Sequence, residues 1–428
     1  MAVVKQQRRV TEHILHSRRS PVGSIRDDVG ATCVAFFFRA FVSLNQDPFT
    51  STGLFDHLTE LYKHASPSSP IASAVVVLAG TSASSCFQHG STTAWHHEMH
   101  MRAVTSVRGA IADPVARTKD ETLMAVLLLD YAENIKAVHC STSTTHIHYG
   151  GAIALLRNRK RNSNQTELSQ SLLRATKHNS FWQCLQNSSN NETVSNVQSM
   201  SVSTPSDTLM ALDAIILQTF RVESLFSRGL VSRHAASSTT QKLMVTLACW
   251  ESLIPHHWRP QQMPSIAISS RMRGLKYEHY VSMDVAFIYN QWRCVRLMLL
   301  LLEQRIAVEE TLSQATGNDR LREPILEVAH LIDGIYNSVP YFFGAPHLDG
   351  ICCSIDGVFS VPPHMNYGLS DRCSERFAGE HLGRWHLVNI LKWLSRIVQS
   401  NASWSQLSKK SVIVALEKQY ASLKGHVL

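Results

Sequence analysis

Three oxygen-bearing side chains lie within one turn and a residue at Asp130-Tyr131-Ala132-Glu133-Asn134. Residues three and four apart share a face of an α-helix, so Asp130, Glu133 and Asn134 stand together. They follow the apolar run Met124 to Leu129, which puts two acids at the end of a helix expected to be buried. Two carboxylates there repel one another unless a cation lies between them. Mg2+ suits such a set, because it takes one or two carboxylates and completes its shell with water and substrate phosphates. The competing reading is a solvated last turn of a helix.

A second group is Asn290, Arg293 and Arg296, flanked by Phe287, Tyr289 and Trp292 on a long apolar segment. Asn290 could add a metal oxygen, and two planar guanidiniums could clamp a diphosphate. The aromatic faces could line a cavity and shield a cation. His96 and His100 have the i, i+4 spacing that zinc can use, with His97 between them, but no third ligand is evident. An exposed histidine-rich turn is the other reading there. No G-x-S-x-G, no phosphate loop of the form G-x-x-x-x-G-K-[ST] and no dinucleotide fingerprint occurs, so hydrolase, NTPase and NAD-enzyme readings have no support.

The elements that must position these residues are helices. Asp120–Ile135 opens on acids that suit a helix N-terminus and then runs apolar for two turns. Leu209–Phe220, Val281–Arg305 and Trp385–Val398 read the same way and are too long for strands. Ala74–Leu78 is β-branched, yet the Ala and Ser around it fit a buried helix equally well. The expected architecture is therefore all-α, as a single large domain over residues 25–428 behind a basic N-terminal arm over residues 1–24. Gln186–Asp207, polar and rich in Asn and Ser, is expected to be a disordered loop within that domain.

At 428 residues and 44% hydrophobic content the chain has an ordinary globular composition and can bury a large core. The nine cysteines are scattered with no C-x-x-C pair, which reads as buried thiols in a reducing compartment. The N-terminus lacks the apolar stretch of a secretory signal, and the longest apolar runs fall short of the ~20 residues of a spanning helix. A cytoplasmic location is therefore expected, with no membrane association. The net charge of +8 is concentrated at Lys5 to Arg19 and at Arg157 to Arg161. The second run could be a localisation signal or a phosphate contact, or a solvated helix end running into a loop. Neither cluster interleaves aromatics as a single-strand binder would.

Four stretches, taken in order, resemble the α-helical regulatory (middle homology) domain of fungal zinc-cluster transcription factors. They are Ala35-Phe-Phe-Phe38; Asp120 through Leu127-Leu128 to Glu133, then His148-x-x-Gly151-Ala152; Asn290-x-x-Arg293-x-x-Arg296; and Asn337-Ser-Val-Pro340-Tyr341. The resemblance covers residues 25 to 400. It implies that the Asn290 and Arg293 spacing serves internal hydrogen bonding; on its own chemistry, Pro340 after Val339 is expected to stop a helix. Those factors begin with a six-cysteine cluster holding two zinc ions, whereas here Cys33 is the sole cysteine in the first 85 residues. No direct nucleic-acid binding is therefore expected. Asp130 is an acid added to the family's pattern.

The five residues Asp130 to Asn134 also look like the first metal motif of class I terpene synthases. In those all-α enzymes Mg2+ draws diphosphate off a prenyl chain and the carbocation cyclises against aromatic walls. The usual second motif, Asn, then Ser or Thr four on, then Glu four further, is missing. Length, the missing zinc cluster and the D-x-x-E-N motif together resemble the fungal humulene synthases, sesquiterpene cyclases that lack the usual terpene-synthase sequence. That resemblance implies farnesyl diphosphate as substrate and Mg2+ as cofactor. Asp130, Glu133, Asn134 and Asn290 would be metal ligands; Arg293 and Arg296 would bind diphosphate, and Phe287, Tyr289 and Trp292 would line the cavity. The alternative is a transcription regulator of a biosynthetic gene cluster, which would place the chain in the nucleus.

Overall fold

The computed structural model describes residues 25–42, 50, 53–87, 93–140, 144–159, 166–186, 208–263, 277–311, 322–342 and 384–400. The basic arm 1–24 and the polar stretch 187–207 lie outside the described residues. The chain order is α1 (Ile25–Phe37, running into a π-helical turn Phe38–Val42), α2 (Leu58–His64), α3 (Pro70–Phe87), α4 (Thr93–Ala112), α5 (Asp120–His139) and α6 (Ile147–Asn158). It continues with α7 (Glu167–Gln186), α8 (Thr208–Ser227), α9 (Arg233–Leu253), α10 (Met283–Thr311), α11 (Arg322–Phe342) and α12 (Arg384–Ser400). The β-structure among the described residues is one antiparallel ribbon, β1 (Gln261–Met263) with β2 (Tyr277–His279), in register Gln262 to Glu278. The fold is all-α.

Helix α5 lies at the centre, with α3, α4, α6, α7 and α12 packed around it. That position explains its sequence. A helix walled on every side has no polar stripe, and Leu123 through Leu129 are all buried without a break. Ala74–Leu78, open between two readings from sequence, belongs to helix α3, whose residues Ala74, Val75, Val77, Leu78 and Ala79 are buried. The phenylalanines near the start form a ring cluster, with Phe37 against Phe41 and Phe55; Phe55 in turn meets Tyr131 of α5 edge-on at 5.6 Å.

Hydroxyl caps start four of the helices. Ser69, Thr166, Ser232 and Ser282 each accept a hydrogen bond from the backbone N–H three residues on, at 3.1 to 3.3 Å. Such caps are worth about 1 kcal/mol each. Asp120, in the first turn of α5, takes donors from Arg159, Thr166 and Ser169, and so ties the ends of α6 and α7 to the central helix. Arg159 also donates to the Lys119 carbonyl at 2.8 Å, so this member of the second basic run is a structural tie. Helix α11 does not stop before Pro340, as the sequence suggests; it continues to Phe342 with the proline inside its last turn. By length and composition Met283–Ala307 could cross a membrane, but 78% of its apolar window is buried inside the protein.

Candidate functional site

Asp130 and Asn134 are 1% exposed and lie mid-helix rather than on a solvated turn, since α5 runs on to His139. Asp130 Oδ2 accepts hydrogen bonds from Asn134 Nδ2 at 3.1 Å and from Asn179 Nδ2 of α7 at 2.6 Å. The Tyr149 backbone bonds the same carboxyl group. The one charged group that acts on Asp130 is Glu133, a second acid. Burial, reinforced by Glu133, pushes the Asp130 carboxyl up to about 7 against the pull of its amide donors.

Glu133 is half-buried. Its Oε1 accepts from the Thr145 backbone N–H and hydroxyl, both at 2.6 Å, while Oε2 is buried without a hydrogen-bond partner. Asn134 Oδ1, Asn179 Oδ1 and Gln183 Nε2 are also buried without partners. Three unbonded oxygens thus accompany a carboxyl group that has no basic partner.

Around Glu133 stand His100, His146 and His148, each held below the usual histidine range first by burial. His100 and His148 bring their ring centroids to 6.4 Å. His96 turns its Nδ1 toward Ser84 at 3.2 Å, and His97 is exposed. No group of three His, Cys, Asp or Glu side chains among the described residues is arranged to hold a metal ion.

The second predicted group is built differently. Arg293 Nη2 holds both carboxylate oxygens of Glu278, at 2.9 and 2.8 Å. Its Nη1 donates to the Tyr280 hydroxyl, the Gly334 carbonyl and Asn290 Oδ1, at 2.8, 2.9 and 3.1 Å. Asn290 Nδ2 donates to Ser338 Oγ at 2.8 Å. Arg293 and Glu278 are 5% and 3% exposed, a buried bidentate pair. This corrects the expectation for two residues. Arg293 is occupied by Glu278 and cannot clamp a diphosphate without leaving that carboxylate buried and unpaired. Asn290 faces a guanidinium with its oxygen, a position that repels a metal cation. Arg296 is partly exposed and pairs through Nε with Glu327 at 2.6 Å.

The aromatic trio also divides. At 100° per residue, Tyr289 and Trp292 point 200° and 140° away from Phe287 around α10, so the three cannot line one wall. Phe287 is buried against Trp182 at 4.8 Å and the edge of His178 at 5.8 Å, on the side of α7, the helix that carries Asn179. Tyr289 lies under the Arg293 guanidinium at 4.9 Å and meets Trp292 at 5.2 Å. The hydrogen bonds of the Asp130 group and of the Arg293 group share no residue. Tyr131 of α5 lies near Asp284 of α10, and its hydroxyl is pushed up first by burial and then by that carboxylate.

Sequence reasoning missed Asn179, Glu278 and the His178–Asp213 pair, which is buried with Nδ1 and Oδ1 3.1 Å apart. The available signal was the polar run Lys177 to Ser180 inside an otherwise core-facing stretch of α7. What the fold and site define is a class, an all-α domain with an acid cluster in its central helix. No family model, curated protein or solved structure matches the chain.

Proposed function

We propose that this chain is a Mg2+-dependent cyclase of farnesyl diphosphate that forms a humulene-type hydrocarbon. The observation that supports this reading is Asp130, a carboxyl group buried in the central helix, acted on by a second acid and ringed by unbonded amide oxygens. Hard oxygen groups with no basic counter-ion are what a divalent cation requires. The fit is partial and specific. Asp130, Glu133 and Asn134 suit the metal; Asn290 does not, and Arg293 is excluded from the diphosphate. Mg2+, when bound, supplies the positive charge that makes diphosphate a leaving group. Asp130 and Glu133 would hold it, and the buried Phe287–Trp182 pair is the aromatic surface on the α7 side that a carbocation would need.

A second reading is favoured by one observation. The Asn290-x-x-Arg293 spacing serves an internal network joining α10, α11 and β2, as the resemblance to zinc-cluster regulators implies. On that reading the chain is a helical regulator that acts through protein partners.

Purified protein incubated with farnesyl diphosphate and Mg2+, with the headspace sampled for sesquiterpene hydrocarbon, separates the two. The cyclase reading expects a hydrocarbon, and its loss in Asp130→Asn. No product from the unaltered protein sinks that reading. Changed transcript levels of a biosynthetic gene cluster on deletion of the gene, with no hydrocarbon made, support the regulator.

A further inference from the structure

Asn134 and Asn179 come from different helices and share one acceptor, and Asn134 Nδ2 also donates to the Asp130 backbone carbonyl at 2.9 Å. Each gives its amide nitrogen to Asp130 Oδ2, and each leaves its own Oδ1 buried without a partner. A buried acceptor left unsatisfied costs roughly 1–3 kcal/mol, so a pair of them around one carboxyl group calls for an explanation. The carboxamide supplies it. Its oxygen and nitrogen have nearly the same shape, and a half-turn about the last side-chain torsion exchanges them in place. With nitrogen inward the amides stabilise a bare carboxylate; with oxygen inward they would repel it unless a cation lay between.

We infer that Asn179 is a ligand of a divalent-cation site formed with Asp130, Asn134 and Glu133, the place the sequence pattern had given to Asn290. This rests on the cyclase reading for its use but not for its binding. Two carboxylates and two carboxamide oxygens make a hard, oxygen-only set with net charge −2, suited to Mg2+ or Mn2+. Glu133 Oε2, buried and unbonded, completes the set from the next turn of α5. Four protein oxygens leave open positions in an octahedral shell, where a diphosphate oxygen or water would bind. Two helices contribute, so the site depends on how α7 packs on α5, and Asn179 sets that geometry through its 2.6 Å bond.

The test uses the full chain and Mn2+ alone, followed by electron paramagnetic resonance, and repeats the titration with inorganic pyrophosphate present. The unaltered protein is expected to bind Mn2+ saturably, with Mg2+ competing. Asn179→Leu should weaken binding by on the order of 10- to 100-fold, at least what loss of a supporting group around a metal costs. Asn179→Asp adds a third acid; it should lower the melting temperature in metal-free buffer, and added Mg2+ should restore it. No saturable Mn2+ binding with or without pyrophosphate, or equal affinity in Asn179→Leu, overturns the inference. So does an Asn179→Asp protein that stays destabilised in Mg2+. If Asn179→Asp does not fold, the Leu variant decides. Mn2+ binding that depends on Asn179 without any hydrocarbon product removes the cyclase reading and keeps the site. Hydrocarbon made equally well by Asn179→Leu keeps the cyclase and removes this ligand.

Discussion

Replacing Asp130 by Asn removes a charge and keeps the shape, so its effect on stability should change with pH in a way that no packing defect would. The Asp130 carboxyl rises from an ordinary 3.8 to about 7 in the folded protein, first through burial and then through Glu133. An acid whose pKa is raised on folding binds its proton more tightly in the native state, so stability is greatest below the unfolded value and falls as pH rises. The fall begins near pH 3.8 and is complete just above pH 7. At about 1.4 kcal/mol per pH unit, the full difference is about 4 kcal/mol. Between pH 5 and pH 8 the group accounts for about 2–3 kcal/mol of it. The half-buried His100 and His148 push the other way, since burial lowers their pKa and favours the neutral native form at high pH. That contribution is common to both proteins and cancels in their difference. Denaturant unfolding of both proteins at pH 5, 6, 7 and 8 in metal-free buffer should show the advantage of Asp130→Asn growing by about 2–3 kcal/mol over that span. A difference that does not change with pH would refute the argument that Asp130 is buried without a counter-ion.

Three further outcomes follow from the packing. Glu278→Gln leaves the Arg293 guanidinium buried without its carboxylate, and should cost about 3–5 kcal/mol of unfolding free energy; an effect under 1 kcal/mol would mean the pair is solvated. A Cβ on Gly334 would sit 2.8 Å from Arg293 Cζ and Nε. Gly334→Ala should therefore cost about 1–3 kcal/mol, and less in an Arg293→Met background; full additivity in that double-mutant cycle would count against the contact. Ser282→Ala removes the Oγ that accepts the Val285 N–H at 3.2 Å, and should cost about 1 kcal/mol with no effect on metal binding.

The helices were legible where a local pattern decides them. Expected Asp120–Ile135, Leu209–Phe220, Val281–Arg305 and Trp385–Val398 correspond to Asp120–His139, Thr208–Ser227, Met283–Thr311 and Arg384–Ser400. The candidate site was legible only in its local half. Asp130, Glu133 and Asn134 follow from spacing along one helix, but Asn179 meets Asp130 across 49 residues. Glu278 sits on a three-residue strand with no pattern to mark it, so nothing in the sequence announces that it will occupy Arg293. Phe287, Tyr289 and Trp292 look like one group in the sequence because they are near neighbours; helical geometry sends Phe287 to one side and Tyr289 and Trp292 together to another.

The two polar clusters, equal candidates by residue type, differ in whether they close. Around Arg293 the charges of Glu278 and the guanidinium cancel, and Tyr280, Asn290 and Ser338 take up the remaining bonds. None of these side chains carries a buried polar atom without a partner among the described residues. A closed, neutral network stabilises a unique packing and has no capacity left for a ligand. The Asp130 cluster is open on the same count. It holds two acids, no base acts on Asp130, and buried oxygens of Glu133, Asn134 and Asn179 are unbonded. Proteins rarely keep such a group in a core without a use for it, because each unsatisfied atom lowers stability. A guanidinium and an asparagine on one helix face read in the sequence as a diphosphate clamp. The completeness of their bonding makes them part of the scaffold, and the incompleteness of the Asp130 group makes it the place to look for chemistry.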